Sequence, residues 1–529
     1  MENLDHSTMM NNSLHKPLEY LHIMKKQLTI LLGLFIAMMA NAQTYNVDLA
    51  ATFTGDVKPY KKGDKVNISK VIHNVKVDES GKLRDEYSIV IEKDTILFSD
   101  KIIDRIDLKY KDMQGLWDGE IIYNVLGDLK RYGIQEELRQ EMEEEALDYI
   151  SRQKEYGLVF NDPYLENYIY GLISKIAPQT LIDCRPGNVN ILILDNPSMN
   201  AGIYPNGTMF ITTGLISALH TEDELVAVLA HEIAHFVLDH SVRNVNAAVS
   251  RKKRAEFWAA VATGLTAVAE GVAAAKSNYY IPGAATIGMA ALSTSVASQV
   301  IDRLGMNYNV KQEESADKVA VLVLEELGYD KNALSTALNR MKEIMVQERS
   351  NVMYFQTYSH PALIKRILDA GKPQDKIDQN FEQEISFAVT STARMKFEER
   401  RFRQVLPLVN QNIYNGVATS EDYILKANCL LALHDDPQTN REILEIVETA
   451  KTIDPTNINI YKAEILANLR LKNYSASQSL LEQYIQLLNE LKMQLKDIES
   501  DITWDANYKF VISERDWANR MLIKVKVMQ

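Results

Sequence analysis

The sequence predicts a multidomain α+β protein with a small N-terminal β-domain, a mainly helical central domain that contains a small β-sheet, and an all-α C-terminal region. Apolar and polar residues alternate between about 44 and 112, which is typical of half-buried strands. Helical spacing of apolar residues begins near 117, and from about 380 onward the pattern is entirely helical. We therefore expect domains at 43–112, 113–375 and 376–529.

Composition narrows the class of protein. A chain of 529 residues with 46% hydrophobic residues is long enough for two to four globular domains. Its net charge of −13 argues against nucleic acid as a partner, because no strongly basic surface is evident. The two cysteines, Cys184 and Cys429, lie far apart, which excludes a cysteine metal site or a disulfide framework.

Residues 24–42 have the features of a secretory signal peptide. Met24-Lys25-Lys26 precedes an apolar run, and Ala40-Asn41-Ala42 is a small-x-small cleavage site. Residues 1–23 are polar and are interpreted as an upstream extension, with Met24 as the start. We expect export to the periplasm or cell envelope; an uncleaved membrane anchor is the alternative.

The N-terminal strands predict a small antiparallel barrel or sandwich. Tyr87, Ile89 and Ile91 alternate with polar residues, and Gly63 and Ser80-Gly81 supply turns. The sequence leaves the role of this domain open between a binding accessory and a structural cap.

The central domain begins with helices and then turns to strands. A charge-dense helix is predicted at 136–145, and Pro163 opens another helix. Val189–Asp195 and Thr208–Thr213 are predicted strands. The second strand precedes the most informative helix of the chain, so it is either a site where an extended peptide pairs by β-augmentation or an ordinary hairpin strand.

An alanine-rich stretch covers residues 255–304. It carries few charges, but Ser, Thr, Gly and Asn dilute it and Pro282-Gly283 interrupts it, which favours a buried helical hairpin over a membrane span. The basic run Arg251–Arg254 before it is either solvated or in peripheral contact with an anionic membrane surface.

The segment from Leu225 to His240 carries the strongest chemical signal. Thr221 is a good N-cap and Glu224 completes the pattern of a capping box. His231 and His235 are separated by four residues, so both imidazoles leave one face of the helix and suit a tetrahedral zinc ion. Glu232 lies next to the first histidine, where it can reach a metal-bound water. The alternative is a pair of half-buried histidines on an amphipathic helix.

A third zinc ligand is expected on a later helix. Glu313 and Asp317 are four residues apart, so Glu313 can ligate the metal while Asp317 holds a histidine ring. Glu314 is the competing ligand, and a solvated acidic start of a helix is the alternative for the whole segment.

The HExxH motif at 231–235 followed by the ExxAD motif at 313–317 resembles the gluzincin peptidases of the HtpX and CAAX-prenyl endopeptidase group. The resemblance covers residues 150–370. Further short motifs and residues occur in the order that is typical of the family: Asn200-Ala201, Thr212-Thr213-Gly214-Leu215, His240, Ser359-His360-Pro361 and Arg366.

The resemblance implies one Zn²⁺ held by His231, His235 and Glu313, with Glu232 as general base. It also implies that His360 lies near the metal, where it either steadies the tetrahedral intermediate or occupies the open site as a gate. Arg366 is a second candidate for stabilising the oxyanion. The exported arrangement with C-terminal repeats is similar to BepA-like periplasmic proteases, although their pattern does not include the β-domain at 43–112.

The C-terminal region contains a weak internal repeat. Tyr423 and Tyr461 begin similar segments 38 residues apart, close to the tetratricopeptide period plus an insertion at Asp435–Pro437. Stacked helix pairs would offer a concave surface to peptides or partner proteins. A plain helical bundle is the alternative.

These patterns predict a zinc metalloendopeptidase that hydrolyses exported or misfolded envelope proteins, with outer-membrane clients held by the C-terminal repeats. The main alternative is a chaperone-like client-binding protein with a gated zinc site. An intramembrane prenyl-protein protease would need more membrane spans than the sequence offers.

Overall fold

The computed structural model describes residues 43–77, 83–97, 100–126, 136–155, 157–182, 185, 187–248, 304, 306–347, 363–496 and 502–529. The predicted signal peptide, most of the alanine-rich stretch, Cys184 and the Ser359-His360-Pro361 element lie outside these residues. The chain divides into two compact units, one formed by residues 1–135 with 180–185 and the other by 136–179 with 186–529.

The first unit is built on a five-stranded antiparallel sheet in the order β4-β3-β2-β1-β5. Its strands are β1 (Gln43–Phe53), β2 (Lys65–Val77), β3 (Leu83–Ile91), β4 (Asp94–Leu97) and β5 (Ile106–Lys109). The alternation that predicts the strands also defines the buried face, since Leu49, Ile68 and Ile89 are fully buried.

The prediction of a barrel or sandwich is wrong for the described residues. β4 and β5 lie at opposite edges of one open sheet and do not pair with each other. After the short helix α1 (Asp100–Ile103), helix α2 (Met113–Asn124) packs on β1 and β5. A helix therefore covers this part of the sheet, which a barrel would enclose by strand closure.

The second unit begins with the central domain, whose small sheet and long helices have the following bounds: α3 (Glu136–Glu155), α4 (Pro163–Ile176), β6 (Asn190–Leu194), β7 (Ala201–Ile203), β8 (Thr208–Thr212), α5 (Thr213–Ile216), α6 (Glu222–Val237), α7 (His240–Ala248), α8 (Val310–Leu327), α9 (Ala333–Gln347) and α10 (Leu363–Asp369). Helix α6 is buried along its length and contacts α4, α8, α9 and β7. It is the element around which the described part of the central domain is packed.

The three-stranded sheet has the order β6-β8-β7, with β6 parallel and β7 antiparallel to β8. Of the two alternatives for the strand Thr208–Thr213, the hairpin strand is confirmed, because β8 pairs antiparallel with β7. Pairing with an extended peptide is wrong, because β8 is central and both of its edges are already paired.

Helix α6 starts where the sequence predicts. The hydroxyl of Thr221 accepts a hydrogen bond from the Glu224 backbone N at 3.2 Å. The Glu224 carboxylate accepts a hydrogen bond at 3.1 Å from the backbone N–H of His220, the residue before the N-cap, and it also pairs with Arg340. The predicted capping box is therefore only half formed, because the bond from the Thr221 backbone N–H to Glu224 is replaced by one from His220.

The C-terminal region consists of helices that each pack on the next. They are α11 (Gln379–Glu384), α12 (Ser386–Glu398), α13 (Phe402–Tyr414), α14 (Ser420–Leu433), α15 (Pro437–Ile453), α16 (Asn459–Arg470), α17 (Tyr474–Lys496) and α18 (Ile502–Met528). Tyr423 and Tyr461 lie near the starts of α14 and α16, and their assignment to tetratricopeptide repeats stays a prediction.

Cys429 on α14 is a buried free thiol. Among the described helices, none is by itself long and apolar enough to cross a membrane, while the bent pair Glu222–Val237 and His240–Asn246 passes on length and composition.

Asp118 on α2 gives the first unit a predictable dependence on pH. Burial raises the pKa of Asp118 to about 7, against the opposing effect of a hydrogen bond from Gln114 Nε2 at 2.8 Å. The folded state therefore binds more protons than the unfolded state between about pH 4 and pH 7, and stability falls as the pH rises through that window. We expect the first unit to lose roughly 2 kcal/mol of unfolding free energy between pH 5 and pH 8 through this group.

Amide hydrogen exchange of the slow amides in β1–β3, corrected for intrinsic rates, measures this change. Asp118→Asn should abolish the difference, whereas Asp104→Asn, at an exposed carboxyl in the same unit, should leave it intact. An unchanged pH dependence in Asp118→Asn would contradict the assignment.

Candidate metal centre

Helix α6 presents two buried histidines one turn apart. His231 and His235 are 4% and 1% exposed, and their Nε2 atoms lie 3.0 Å from each other. The spacing of four residues therefore directs both rings to one point, as the helical period predicts.

Helix α8 brings the third side chain to the same point. Asn309 caps this helix through a capping box with Gln312, which fixes the position of the first turn. Glu313 is fully buried, and its carboxylate oxygens lie 3.6 Å from His231 Nε2 and 3.5 Å from His235 Nε2. The ligand atoms of the three residues all lie within 4.8 Å of one another.

Glu314, the competing candidate, lies elsewhere. Its carboxylate is 41% exposed and accepts a hydrogen bond from Lys365 Nζ at 2.6 Å. Successive residues point about 100° apart round a helix, so Glu313 and Glu314 cannot face the same site. The structure brings Glu313, and not Glu314, to the two histidines.

The geometry of this cluster fits a small divalent cation. In a tetrahedral zinc site with bonds of about 2.0–2.1 Å, neighbouring ligand atoms lie about 3.3–3.5 Å apart. The separations here are 3.0, 3.5 and 3.6 Å. Two imidazole nitrogens and one carboxylate therefore converge at the spacing that such an ion requires, and they leave the fourth position for water or substrate.

Asp317 holds the first histidine. It lies one turn after Glu313 on α8, and its Oδ1 is 2.9 Å from His231 Nδ1. This proximity of a carboxylate favours a proton on Nδ1, which leaves the lone pair of Nε2 directed at the cluster. Burial opposes the ionisation of Asp317, but Arg366 and His231 outweigh it and hold its pKa well below the usual range.

His240 holds the second histidine in the same way. Its Nδ1 lies 2.9 Å from His235 Nδ1, and its Nε2 lies 3.3 Å from Ser315 Oγ. If His235 donates from Nδ1, His240 accepts there and donates onward to the serine, which again leaves His235 Nε2 unprotonated. Both candidate ligands thus have a partner behind the ring, and both partners are compatible with the same tautomer.

Tyr308 is a residue of the site that the sequence did not reveal. Its ring stacks on that of His235 at 3.6 Å between centroids and 19° between planes, and its hydroxyl lies 3.0 Å from Ser241 Oγ. Its one sequence signal is its place directly before the N-cap of α8, which does not distinguish a packed aromatic residue from any other.

Arg366 joins the acidic residues of the site to one another. Its guanidinium donates two hydrogen bonds to Asp317, at 2.6 and 2.7 Å, and its Nη1 lies 2.5 Å from Glu313 Oε2. Burial alone would lower the pKa of Arg366, but the two carboxylates outweigh it and keep the guanidinium charged. The same side chain also reaches the wall of the cavity in front of His231.

A small, partly open cavity lies beside the cluster. Glu232 lines it together with His231, so the predicted base faces the space where a substrate would lie. Its remaining lining is mainly apolar and comprises Met199, Asn200, Ala201, Leu215, Val228, Leu334, Leu338, Met341 and Arg366. The Asn200-Ala201 pair of the sequence resemblance is thus part of this wall, whereas His360 lies outside the described residues.

Comparison with known proteins agrees with this geometry. Residues 163–373 match the sequence profile of peptidase family M48. The chain is 24% identical over 329 residues to the "Putative beta-barrel assembly-enhancing protease" of Vibrio cholerae, covering 62% of this chain and 56% of the relative. It is 28% identical over 196 residues to the "Beta-barrel assembly-enhancing protease" of Escherichia coli strain K12, covering 37% and 36%.

A shorter match extends to a mitochondrial protein. The chain is 41% identical over 102 residues to the human "Metalloendopeptidase OMA1, mitochondrial", covering 18% of this chain and 19% of the relative. The matches thus cover less than two thirds of the length of each of these relatives. The segment 163–373, which matches the profile of peptidase family M48, carries the cluster of two histidines and a glutamate.

Proposed function

We propose that this protein is a zinc-dependent metalloendopeptidase. The observation that carries the proposal is the convergence of His231, His235 and Glu313 on one point, with Glu232 facing an adjoining cavity. A bound zinc ion would polarise the scissile carbonyl and lower the pKa of an attacking water towards ~7.

Residues of the chain would carry out the proton transfers and stabilise the negative charge of the oxyanion. Glu232 takes the proton of the attacking water and delivers it to the leaving amine, and its buried position beside His231 supports this role. Asp317 and His240 keep the two histidines in the tautomer that binds metal through Nε2. Arg366, which lines the cavity, is a candidate donor to the developing oxyanion, as is His360 if it lies near the metal.

The substrates are proposed to be exported or misfolded proteins of the cell envelope. Two observations support this: the predicted signal peptide at 24–42 and the relatives whose names describe proteases that enhance β-barrel assembly. The consecutive helices from α12 to α18 are proposed as tetratricopeptide-like repeats that hold these client polypeptides.

The assignment of Glu232 predicts a separation of metal binding from hydrolysis. We expect Glu232→Gln to retain about one zinc per chain, because Glu232 is not a ligand, and to lose cleavage of casein by at least about a hundredfold. Zinc content by plasma mass spectrometry and a casein assay on residues 43–529 measure both quantities.

Loss of zinc in Glu232→Gln would contradict its role as a base. If zinc were retained and neither protein cleaved casein, a client-binding protein with a gated site would be favoured, and His360→Ala should then release activity. Absence of zinc from the wild-type protein would overturn the proposal as a whole.

The neighbouring carboxylates on α8 offer a matched test of the third ligand. Glu313→Gln removes a charged ligand and should weaken zinc binding by more than the roughly 10- to 100-fold typical of lost outer-shell contacts. Glu314→Gln, which changes an exposed group bound to Lys365, should leave zinc affinity unchanged.

Competition with a chromogenic chelator measures both zinc affinities, and circular dichroism checks that Glu313→Gln still folds with Arg366 buried beside it. The same loss of affinity in Glu314→Gln, or none in Glu313→Gln, would contradict the ligand set.

A further inference from the structure

A break between helices α6 and α7 brings His235 and His240 together. Helix α6 ends at Val237, α7 begins at His240, and the two helices are inclined to each other by 43°. Along one continuous helix, residues five positions apart point about 140° away from each other, so the two rings would leave different faces. Here their Nδ1 atoms lie 2.9 Å apart. The break is therefore what allows His240 to lie behind the second candidate ligand.

Asp239 forms this break. Its φ of +58° lies in the left-handed region, which interrupts a right-handed helix and which Asp and Asn adopt more readily than most other residues with a side chain. The residue is buried, so its carboxylate has little access to water. A carboxylate in such a place is costly unless a cation and hydrogen-bond donors compensate its charge.

Arg139 on α3 compensates this charge. Its Nη2 lies 2.6 Å from Asp239 Oδ2, and the two side chains are 9% and 3% exposed. The same helix also contacts α7 through a small apolar cluster, which comprises Leu138, Met142, Val242 and Val245. Helix α3 is therefore bound both to the break and to the helix that follows it.

The first turns of α7 also contact the helix that carries Glu313. Gln312 Nε2 donates to Asn244 Oδ1 at 2.8 Å, and Ser315 Oγ lies 3.3 Å from His240 Nε2. A shift of α7 would therefore disturb the support of His235 and the first turn of α8 together.

We propose that Arg139 and Asp239 are positioning residues for the metal centre. Their ion pair holds the break between α6 and α7, so that His240 stays behind His235 and fixes the direction of its Nε2. Neither residue lines the cavity or belongs to the three candidate ligands, so the pair acts on the metal through His240. The inference rests on the proposed function, because it assumes that the three candidate ligands bind zinc.

Arg139→Gln should weaken zinc binding in a protein that still folds. Loss of a partner behind a metal ligand typically costs about 10- to 100-fold in metal affinity, and we expect about tenfold, because Arg139 acts one residue further out. Asp239→Asn, which tolerates the left-handed backbone but removes the charge, should cause a similar loss. Arg139→Lys keeps the charge but not the fixed directions of the guanidinium, so it should recover only part of the affinity.

Competition of the full chain with a chromogenic chelator measures the zinc affinities. The visible absorption spectrum of the Co²⁺-loaded protein reports the arrangement of the ligands, and it should differ between the wild-type protein and Arg139→Gln. Circular dichroism checks that each variant is folded.

Arg340→Gln is the matched control. Arg340 forms another buried ion pair with α6, in which its Nε lies 3.0 Å from Glu224 Oε1 in the first turn, away from the histidines. Breaking this pair should lower the melting temperature by a similar amount but leave the zinc affinity and the Co²⁺ spectrum unchanged. Equal losses of zinc affinity in Arg139→Gln and Arg340→Gln would mean that both act through general stability, and would overturn the proposal.

A double-mutant cycle tests the route through His240. The effect of Arg139→Gln on zinc affinity should vanish in a His240→Ala background, because the residue that transmits it is absent. The zinc affinities of the four proteins give this coupling. A tenfold loss in both backgrounds would contradict the proposal.

The result for the wild-type protein separates failure of this inference from failure of the proposed function. No zinc binding by the wild-type protein would overturn both. Zinc bound with equal affinity by the wild-type protein and Arg139→Gln, with identical Co²⁺ spectra, would overturn the positioning role and leave the peptidase function intact.

Discussion

The candidate metal-binding cluster in the second unit depends on neutralising the negative charge of a carboxylate, Glu313, that is fully buried. Glu313 has no exposed surface, and an isolated buried carboxylate costs several kcal/mol. Arg366 lies 2.5 Å away, and the Nε2 atoms of His231 and His235 lie close on the other side. Because Arg366 also binds Asp317, and Asp317 holds His231, the compensation of one charge orders the whole cluster.

This arrangement requires three helices from distant parts of the chain to pack together with accurately fixed positions. Helix α6 supplies the histidines, α8 the two carboxylates and α10 the guanidinium. A bidentate pair between a guanidinium and a carboxylate fixes direction as well as distance, which lysine could not do. The buried ion pair therefore positions the helices more than it stabilises the fold, because the cost of desolvating the two charges offsets much of their attraction.

Local sequence patterns predicted the parts of the site that lie within one helix. The spacing of His231 and His235, and that of Glu313 and Asp317, follows from the helical period alone. The choice between Glu313 and Glu314 stayed open in the sequence, because it depends on the rotation of α8 against α6. The stacking of Tyr308 on His235, the contacts of Arg366 and the lining of the cavity by residues of α9 join distant segments, which a local pattern does not encode. In the first unit, the alternation of apolar and polar residues predicted the strands. It did not predict whether the sheet closes into a barrel, because an open sheet covered by a helix has the same alternation.

The C-terminal helices continue the structure of the peptidase domain and are not appended to it by a linker. Helix α12 carries buried serines and threonines, and Ser391 Oγ donates to Asp195 at 2.6 Å while Thr392 Oγ1 lies 3.1 Å from Ser217 Oγ. On another face of the same helix, Thr390 Oγ1 donates to Asp422 of α14 at 2.8 Å. Buried polar contacts of this kind are costly when broken, so they fix α12 against both neighbours. A polypeptide bound by the C-terminal helices, as proposed above, would therefore be held at a defined distance from the cluster of His231, His235 and Glu313.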